Sequence, residues 1–178
     1  LRLLDADSSV MLLTSLIVGI CSGLGAVLFR HLIDWLQNLA YEDISGMMEE
    51  YYPLHLILIP AAGGAFVGPL VYYFAREAKG HGVPEVMESL ELRGGRIRPR
   101  VVIVKSLASS ICIASGGSVG REGPIAQIGS ALGSIVGQVL KLSEDRVRTL
   151  VACGAAGGIA ATFNAPIAGA VFALEVLL

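Results

Sequence analysis

Four long stretches of the chain carry no Asp, Glu, Lys or Arg, and their length restricts the fold more than any other feature. They cover residues 8–29, 51–75, 123–140 and 149–174. A helix needs roughly 20 apolar residues to cross the hydrocarbon core of a bilayer, and several of these stretches reach or approach that length. The sequence therefore predicts an all-α protein whose helices cross a membrane several times.

The composition agrees with lipid surroundings, since 54% of the residues are hydrophobic, 16% are charged and the mean hydropathy is +0.70. The chain begins at Leu1 and ends inside an apolar run at Leu178, which favours a piece of a longer membrane protein. The three cysteines lie in apolar segments without metal-binding spacing, so packed thiols are expected and no metal site or cofactor is predicted.

Charge is distributed unequally between two connections. The first, over residues 41–52, contains four acidic residues and no Lys or Arg, whereas residues 76–105 contain seven Lys and Arg. Because loops rich in Lys and Arg tend to stay in the cytoplasm, the second connection is predicted to be cytoplasmic and the first external.

Helix-start and helix-stop residues divide the chain into short and broken helices. Asp7 or Ser8 is the expected N-cap of the first helix, Pro60 and Pro69 are expected to interrupt or kink the second, and Ser143 is an expected N-cap. The predicted helices cover residues 9–40, 54–75, 83–90, 101–115, 124–140 and 144–163, with a last one from 166 towards 175. Irregular backbone at membrane depth survives only where protein or a water-filled cavity satisfies it.

Small residues recur four positions apart on four of these helices. The pairs and triplets are Gly19/Gly23, Gly64/Gly68, Gly129/Gly133/Gly137 and Gly154/Gly158. Such faces let two helix backbones approach closely, so the spacing predicts tight helix packing in preference to a general richness in glycine.

Glu122 is the most unusual charge, because it lies with Arg121 between two apolar runs. A carboxylate at membrane depth costs about 2.5–3.5 kcal/mol and by default indicates a functional site. A surface ion pair between Arg121 and Glu122 is the simpler alternative, but adjacent residues do not face each other on a helix.

Two segments of similar design lead into helices: Gly80-His81-Gly82-Val83-Pro84 and Gly120-Arg121-Glu122-Gly123-Pro124. A helix N-terminus carries about half a positive charge and unpaired N–H groups, so two such ends aimed at one point would bind an anion. Weak binding by dipoles suits transport, and the Glu122 carboxylate would compete with the anion as a gate that accepts protons. A phosphate loop is disfavoured because the Gly-Lys-Ser/Thr ending is missing.

These motifs give the chain a close resemblance to the CLC family of chloride channels and proton-coupled chloride exchangers. The resemblance rests on Gly120 to Gly129, on Gly80-x-Gly82-Val83-Pro84-Glu85, on Lys105, and on the segment from Ala161 to Gly169 with Phe172 and Glu175. It implies that residues 1–178 form the first of two inverted halves of a transmembrane domain, which is a helical bundle with short, broken and tilted helices.

The resemblance also implies a homodimer in a plasma membrane or bacterial inner membrane, with an anion pathway in each subunit and no covalent chemistry. Glu122 matches the family's gating glutamate, and the amides around Arg121 to Gly123 match its anion cradle. The second-half Gly-x-Phe-x-Pro helix start and the anion-coordinating Tyr of the family are absent from these residues.

Two departures from the family pattern affect the expected mechanism. His81 stands where the family usually has Ser, so it either contributes an imidazole N–H to the anion or points away and leaves the backbone amides to coordinate it. Val176 stands where many exchangers have an internal acid, and its apolar side chain cannot relay a proton. The sequence thus predicts a passive chloride channel. The alternative is a proton/chloride exchanger, in which Glu175 or a water chain would relay the proton instead. A non-transporting structural fragment is the third reading.

Overall fold

The computed structural model describes residues 2–43, 54–74 and 82–177, and within these ranges it contains helices and no strands. The helices are α1 Arg2–Asn38, α2 His55–Phe74, α3 Val83–Leu92, α4 Arg100–Ala114, α5 Glu122–Val139, α6 Glu144–Phe163 and α7 Pro166–Phe172. Short π-helical turns extend α1 over Leu39–Asp43 and α7 over Ala173–Leu177. The all-α prediction is confirmed.

Helix α1 begins earlier than the sequence predicted. It starts at Arg2, so Asp7 and Ser8 lie within the helix and neither is its N-cap. No Gly or Pro occurs before them to end a helix, and Asp or Ser acts as a cap only where the chain preceding it is not helical. Ser143 does occupy the N-cap position of α6, although its hydroxyl makes no capping hydrogen bond.

Helix α2 continues through both of its prolines, so it is not interrupted at Pro60 or Pro69, and a kink at these positions stays a prediction. Each proline removes one backbone hydrogen bond, a loss that neighbouring helices can compensate in a membrane protein. The ring of Pro60 lies beside the turn after α4, where a Cβ at Gly116 would be 3.6 Å from its Cγ.

Among the described residues, two helices are long and apolar enough to cross a membrane, over Ser9–Glu42 and Leu56–Phe74. Their most apolar windows have mean hydropathies of 2.2 and 1.7, and only 28% and 11% of those windows are buried. The uncharged run 123–140 lies in α5, which is mostly buried. The run 149–174 is mostly buried in α6 but largely exposed in α7, where Ile167 is 82% exposed.

The glycine spacing accurately predicts the contact between α5 and α6. A Cβ on Gly129 or Gly154 would overlap the carbonyl of the other residue, and one on Gly133 would overlap the carbonyl of Leu150. Gly19 of α1 also touches α6, since a Cβ on Gly157 would be 3.0 Å from the Gly19 Cα. By contrast, no described atom lies within 4 Å of a Cβ added to Gly64 or Gly68, so the predicted packing is not seen there.

The two connections of opposite charge begin at opposite ends of the bundle. At one end the Tyr41 hydroxyl, just beyond α1, donates to the Ser115 carbonyl at 3.1 Å. Helix α2 runs antiparallel to α4: near the first end Gly63 approaches Ser115, and towards the other Leu70 packs on Val104. Arg96 and Arg98, which precede α4, therefore lie at the end of the bundle opposite Glu42, which follows α1.

Candidate anion site

The two predicted helix starts meet in the structure. A Cβ on Gly82, the N-cap of α3, would overlap the carbonyl of Gly123 in the first turn of α5. Gly82 also has φ of +98°, a backbone conformation that side chains disfavour. Both requirements select glycine, and they bring the N-terminus of α3 against that of α5.

Helix α5 begins two residues before the proline that was expected to open it. Arg121 is the N-cap, Glu122 and Gly123 are the first two helical residues, and Pro124 is the third. The first bond of the regular helical pattern runs from the Ile125 N–H to the Arg121 carbonyl at 3.1 Å. Pro124 is buried and has no N–H, so it cannot donate to an anion as its inclusion in the predicted site implied. The amides of Glu122 and Gly123 are the first-turn donors.

The Gly82 amide does not have the predicted role. It donates to the Glu85 carboxylate Oε2 at 2.7 Å, so this donor is already satisfied. The Val86 N–H bonds the Gly82 carbonyl at 3.1 Å and continues the helix. Pro84 has no N–H. Among the predicted residues of α3, the Val83 amide is therefore the donor that remains at the helix start.

The Glu122 side chain is exposed, and its carboxylate folds back over Gly120. A Cβ at position 120 would overlap the Glu122 Oε2, so glycine provides the space that the carboxylate occupies. Arg121 is exposed as well, and the structure shows no ion pair between it and Glu122 within residues 82–177. The surface-pair alternative therefore gains no support.

The loop that leads to Glu122 is held at its beginning. The Gly117 N–H bonds the Cys112 carbonyl at 2.9 Å, and the Tyr41 hydroxyl bonds Ser115 at 3.1 Å. A Cβ on Gly116, whose φ is +91°, would lie 2.6 Å from the Tyr41 hydroxyl oxygen. The end of α1 is thus packed on the turn that precedes the Glu122 loop.

The remaining predicted site residues lie away from the two helix starts or outside the described residues. Gly80 and His81 lie outside the described residues. Glu175 is exposed in the π-helical turn after α7, whereas Val176 is partly buried against the hydrophobic cluster that contains Val86 and Leu90 of α3. The end of the α7 segment therefore packs on the helix whose start carries Gly82.

Sequence reasoning did not assign a role to Glu85 or Lys105. The spacing Gly82-x-x-Glu85 before an apolar run is a helix-capping pattern and could have identified the Glu85 contact. Lys105 is the single charged residue within the apolar helix α4 after Arg100, and it is 4% exposed. A buried charge in such a helix is itself a signal of function.

Known proteins share this chain's sequence and fold. The family described as voltage gated chloride channel matches residues 63–178. The H(+)/Cl(-) exchange transporter ClcA of Vibrio vulnificus is 40% identical over 175 residues, which cover 94% of this chain and 36% of that protein. The putative chloride channel protein ClcB-like of Ralstonia nicotianae is 35% identical over 174 residues, covering 94% and 41%.

Two solved structures have similar folds, each with a TM-score of 0.74. One is a slow cyanobacterial Cl-/H+ antiporter, 27% identical, with 91% of this chain and 39% of that chain covered. The other is a CLC-type fluoride/proton antiporter, 28% identical, with 97% and 41% covered. This chain spans 36–41% of the length of these two relatives and two antiporters. On its sequence match and its fold, the chain belongs to the CLC family, described as voltage gated chloride channel.

Proposed function

We propose that the full-length protein that contains this chain transports chloride across a membrane in exchange for protons. The observation that carries the proposal is the meeting of the α3 and α5 N-termini at Gly82 and Gly123, with the Glu122 carboxylate beside them. Amides at helix ends bind an anion without a buried cation, so the anion is released as readily as it is bound.

Glu122 acts as the gate and as the outer proton acceptor in this proposal. Its carboxylate is exposed next to the first-turn amides of α5, so it competes with an anion for the same positive region. Protonation removes its charge and its advantage as a competitor, which couples proton binding to anion entry.

The exchanger is preferred to the passive channel because the ClcA relatives are named exchangers and both solved structures are antiporters. We propose that Glu175, exposed one residue before Val176, provides the inner proton site. The passive channel stays the second candidate, since the partly buried Val176 cannot carry a proton and one relative is named a putative chloride channel.

The test is proton uptake driven by a chloride gradient in liposomes containing the full-length protein. We expect the wild type to move protons uphill, Glu122→Gln to move chloride without protons, and Glu175→Gln to lose most proton movement while keeping chloride flux. Chloride flux without proton movement in the wild type would favour the channel. Unchanged flux and pH response in Glu122→Gln would remove the gate.

Further parts of the proposal concern the whole protein. A homodimer, a location in a plasma or bacterial inner membrane, and the absence of covalent chemistry are expected from the family resemblance. Crosslinking in native membranes tests the dimer independently of transport.

A further inference from the structure

An apolar groove runs between α1, α4 and α5. It encloses about 390 Å³, and none of the residues that line it belongs to the candidate anion site. The lining includes Leu24, Gly25 and Leu28 of α1, Val102 and Ser106 of α4, and Leu132 of α5. The groove is therefore a separate feature of the bundle, formed where three helices meet.

The groove opens on the outer face of α1, which is long and apolar enough to cross a membrane. Leu24 and Leu28, which line it, are 60% and 69% exposed. The Ser106 hydroxyl donates to the Val102 carbonyl at 2.6 Å, so its proton is already used within α4. The groove consequently suits an apolar occupant, and lipid tails are as apolar as leucine.

A basic segment leads directly to the wall of the groove. Residues 93–100 contain four Arg and no Asp or Glu. Helix α4 starts at Arg100, two residues before Val102, and the Val102 N–H bonds the Pro99 carbonyl at 3.1 Å. Arg98 and Arg100, both exposed, therefore lie within about one helical turn of the groove, roughly 5 Å along the axis.

The backbone of this basic segment is fixed to α5. Ile97 is buried, its N–H donates to the Ser134 Oγ at 2.8 Å, and its carbonyl accepts from the Gln138 Nε2 at 3.0 Å. Arg98 follows it directly. An anion that binds there has to order side chains only, which lowers the entropic cost of binding.

We propose that this groove binds a phospholipid with an anionic headgroup, whose acyl chain fills the groove and whose phosphate is held by Arg98 and Arg100. Charge complementarity selects this occupant: an apolar groove that lies beside two arginines fits a molecule with an apolar tail and an anionic head. The guanidinium fork matches phosphate geometry, and basic segments next to membrane-spanning helices attract anionic lipids. This binding does not depend on the transport proposed above.

The headgroup and the tail make separate contributions to affinity. Each Arg near a membrane surface contributes about 1 kcal/mol towards an anionic lipid, so Arg98→Gln and Arg100→Gln each raise Kd for phosphatidylglycerol roughly fivefold. Leu28→Trp narrows the groove, and each methylene that it displaces weakens binding about fourfold. It therefore raises Kd for phosphatidylglycerol and for phosphatidylcholine with the same acyl chains.

The chain offers a matched control for each change. Arg93 belongs to the same basic segment, but its guanidinium pairs with Glu88 of α3 at 3.0 Å, so Arg93→Gln is expected to leave Kd unchanged. Leu12 lies on α1 and is 74% exposed, close to the 69% of Leu28, but it does not line the groove. Leu12→Trp is expected to leave Kd unchanged as well.

The experiment is native mass spectrometry of the full-length protein and its variants, titrated with phosphatidylglycerol or phosphatidylcholine of identical acyl chains, with thermal unfolding as a check on folding. Tighter binding of phosphatidylglycerol by the wild type, weakened by Arg98→Gln, Arg100→Gln and Leu28→Trp and not by the two controls, supports the proposal. Equal affinity for the two lipids, or equal shifts in the controls, overturns it. If another segment of the full-length protein or a second copy covers the groove, Leu28→Trp leaves lipid binding unchanged, which also overturns it. If Leu28→Trp does not fold, the comparison of the two lipids and the Arg variants decide.

Discussion

Gly82 is the residue on which the contact between the two helix starts depends. Its φ of +98° and its contact with Gly123 are separate demands for glycine. A side chain at φ of +98° and ψ of −61°, a sparsely populated backbone conformation, costs about 1–3 kcal/mol, and a Cβ that overlaps a neighbouring carbonyl adds to that cost.

Replacing Gly82 tests these two demands together. We expect Gly82→Ala to lower stability by about 2 kcal/mol or more and to abolish anion flux, because its Cβ is strained at φ of +98° and ψ of −61° and displaces α3 from α5. A Gly82→Ala variant with wild-type stability and flux would contradict both demands. Thermal unfolding in detergent and flux in liposomes provide the measurements.

Ser134 is a fully buried hydroxyl that joins α5 to the connection before α4. It donates to the Gly95 carbonyl at 2.6 Å and accepts the Ile97 N–H and the Gln138 Nε2, both at 2.8 Å. Ser134→Ala leaves these partners unsatisfied in the interior, and we expect a loss of about 1–3 kcal/mol. Ser143→Ala is the control: its hydroxyl makes no capping bond, so less than about 0.5 kcal/mol is expected. Equal losses in thermal unfolding would contradict the assignment.

A functional residue could be predicted from the sequence where its position carried an evident energetic cost. Glu122 stood out as a charge between apolar runs, and the structure places it in the first turn of α5. The use of the Gly82 amide was missed, although the capping spacing of Glu85, three residues further on, could have identified it. The early start of α1 was missed because Asp7 and Ser8 are good caps only where the preceding chain is not helical.

At the scale of the helices, the four-residue glycine spacing predicted close packing correctly only where the glycine faces of two helices meet. The α5 and α6 faces touch through Gly129 and Gly154, but Gly64 and Gly68 of α2 meet no described atom within 4 Å. Four-residue spacing indicates that a close approach is possible, whereas the partner helix is determined by the whole bundle.

Helix packing yields a comparison between two glycines. Gly129→Ala is expected to cost about 1–3 kcal/mol, since its Cβ would overlap the Gly154 carbonyl. Gly64→Ala is expected to be neutral or to stabilise by up to about 1 kcal/mol through helix propensity, because its surroundings are open. Thermal unfolding of the full-length protein gives both values, and destabilisation by Gly64→Ala would reveal a contact beyond the described residues.

For the whole molecule, the charge pattern predicts which end of the bundle faces which side of the membrane. Glu42 lies beyond α1 at the end where Tyr41 reaches Ser115, and the exposed Arg96 precedes α4 at the other end. The sequence predicts this separation because connections between successive membrane crossings alternate sides. The structural evidence for it is the antiparallel packing of α2 on α4.

Cysteine labelling tests the sidedness. In a cysteine-free background of the full-length protein, in which Cys21, Cys112 and Cys153 are among the residues replaced by Ala, Glu42→Cys is expected to react with a membrane-impermeant reagent applied outside intact cells. Arg96→Cys is expected to react only after permeabilisation, because the positive-inside tendency predicts that the basic connection faces the cytoplasm. Labelling of both positions from one side would contradict the predicted orientation.

The direct contact between the α5 and α6 backbones also limits how Glu122, the proposed gate, can move. With Gly129 and Gly154 in contact and Leu150 pressed on Gly133, no compressible layer of side chains separates the two helices. The two helices form a stiff frame, and the Glu122 side chain extends from the first turn of α5. Opening is therefore expected to need little more than a change of the Glu122 side-chain rotamer, which is faster than the sliding of one helix past another.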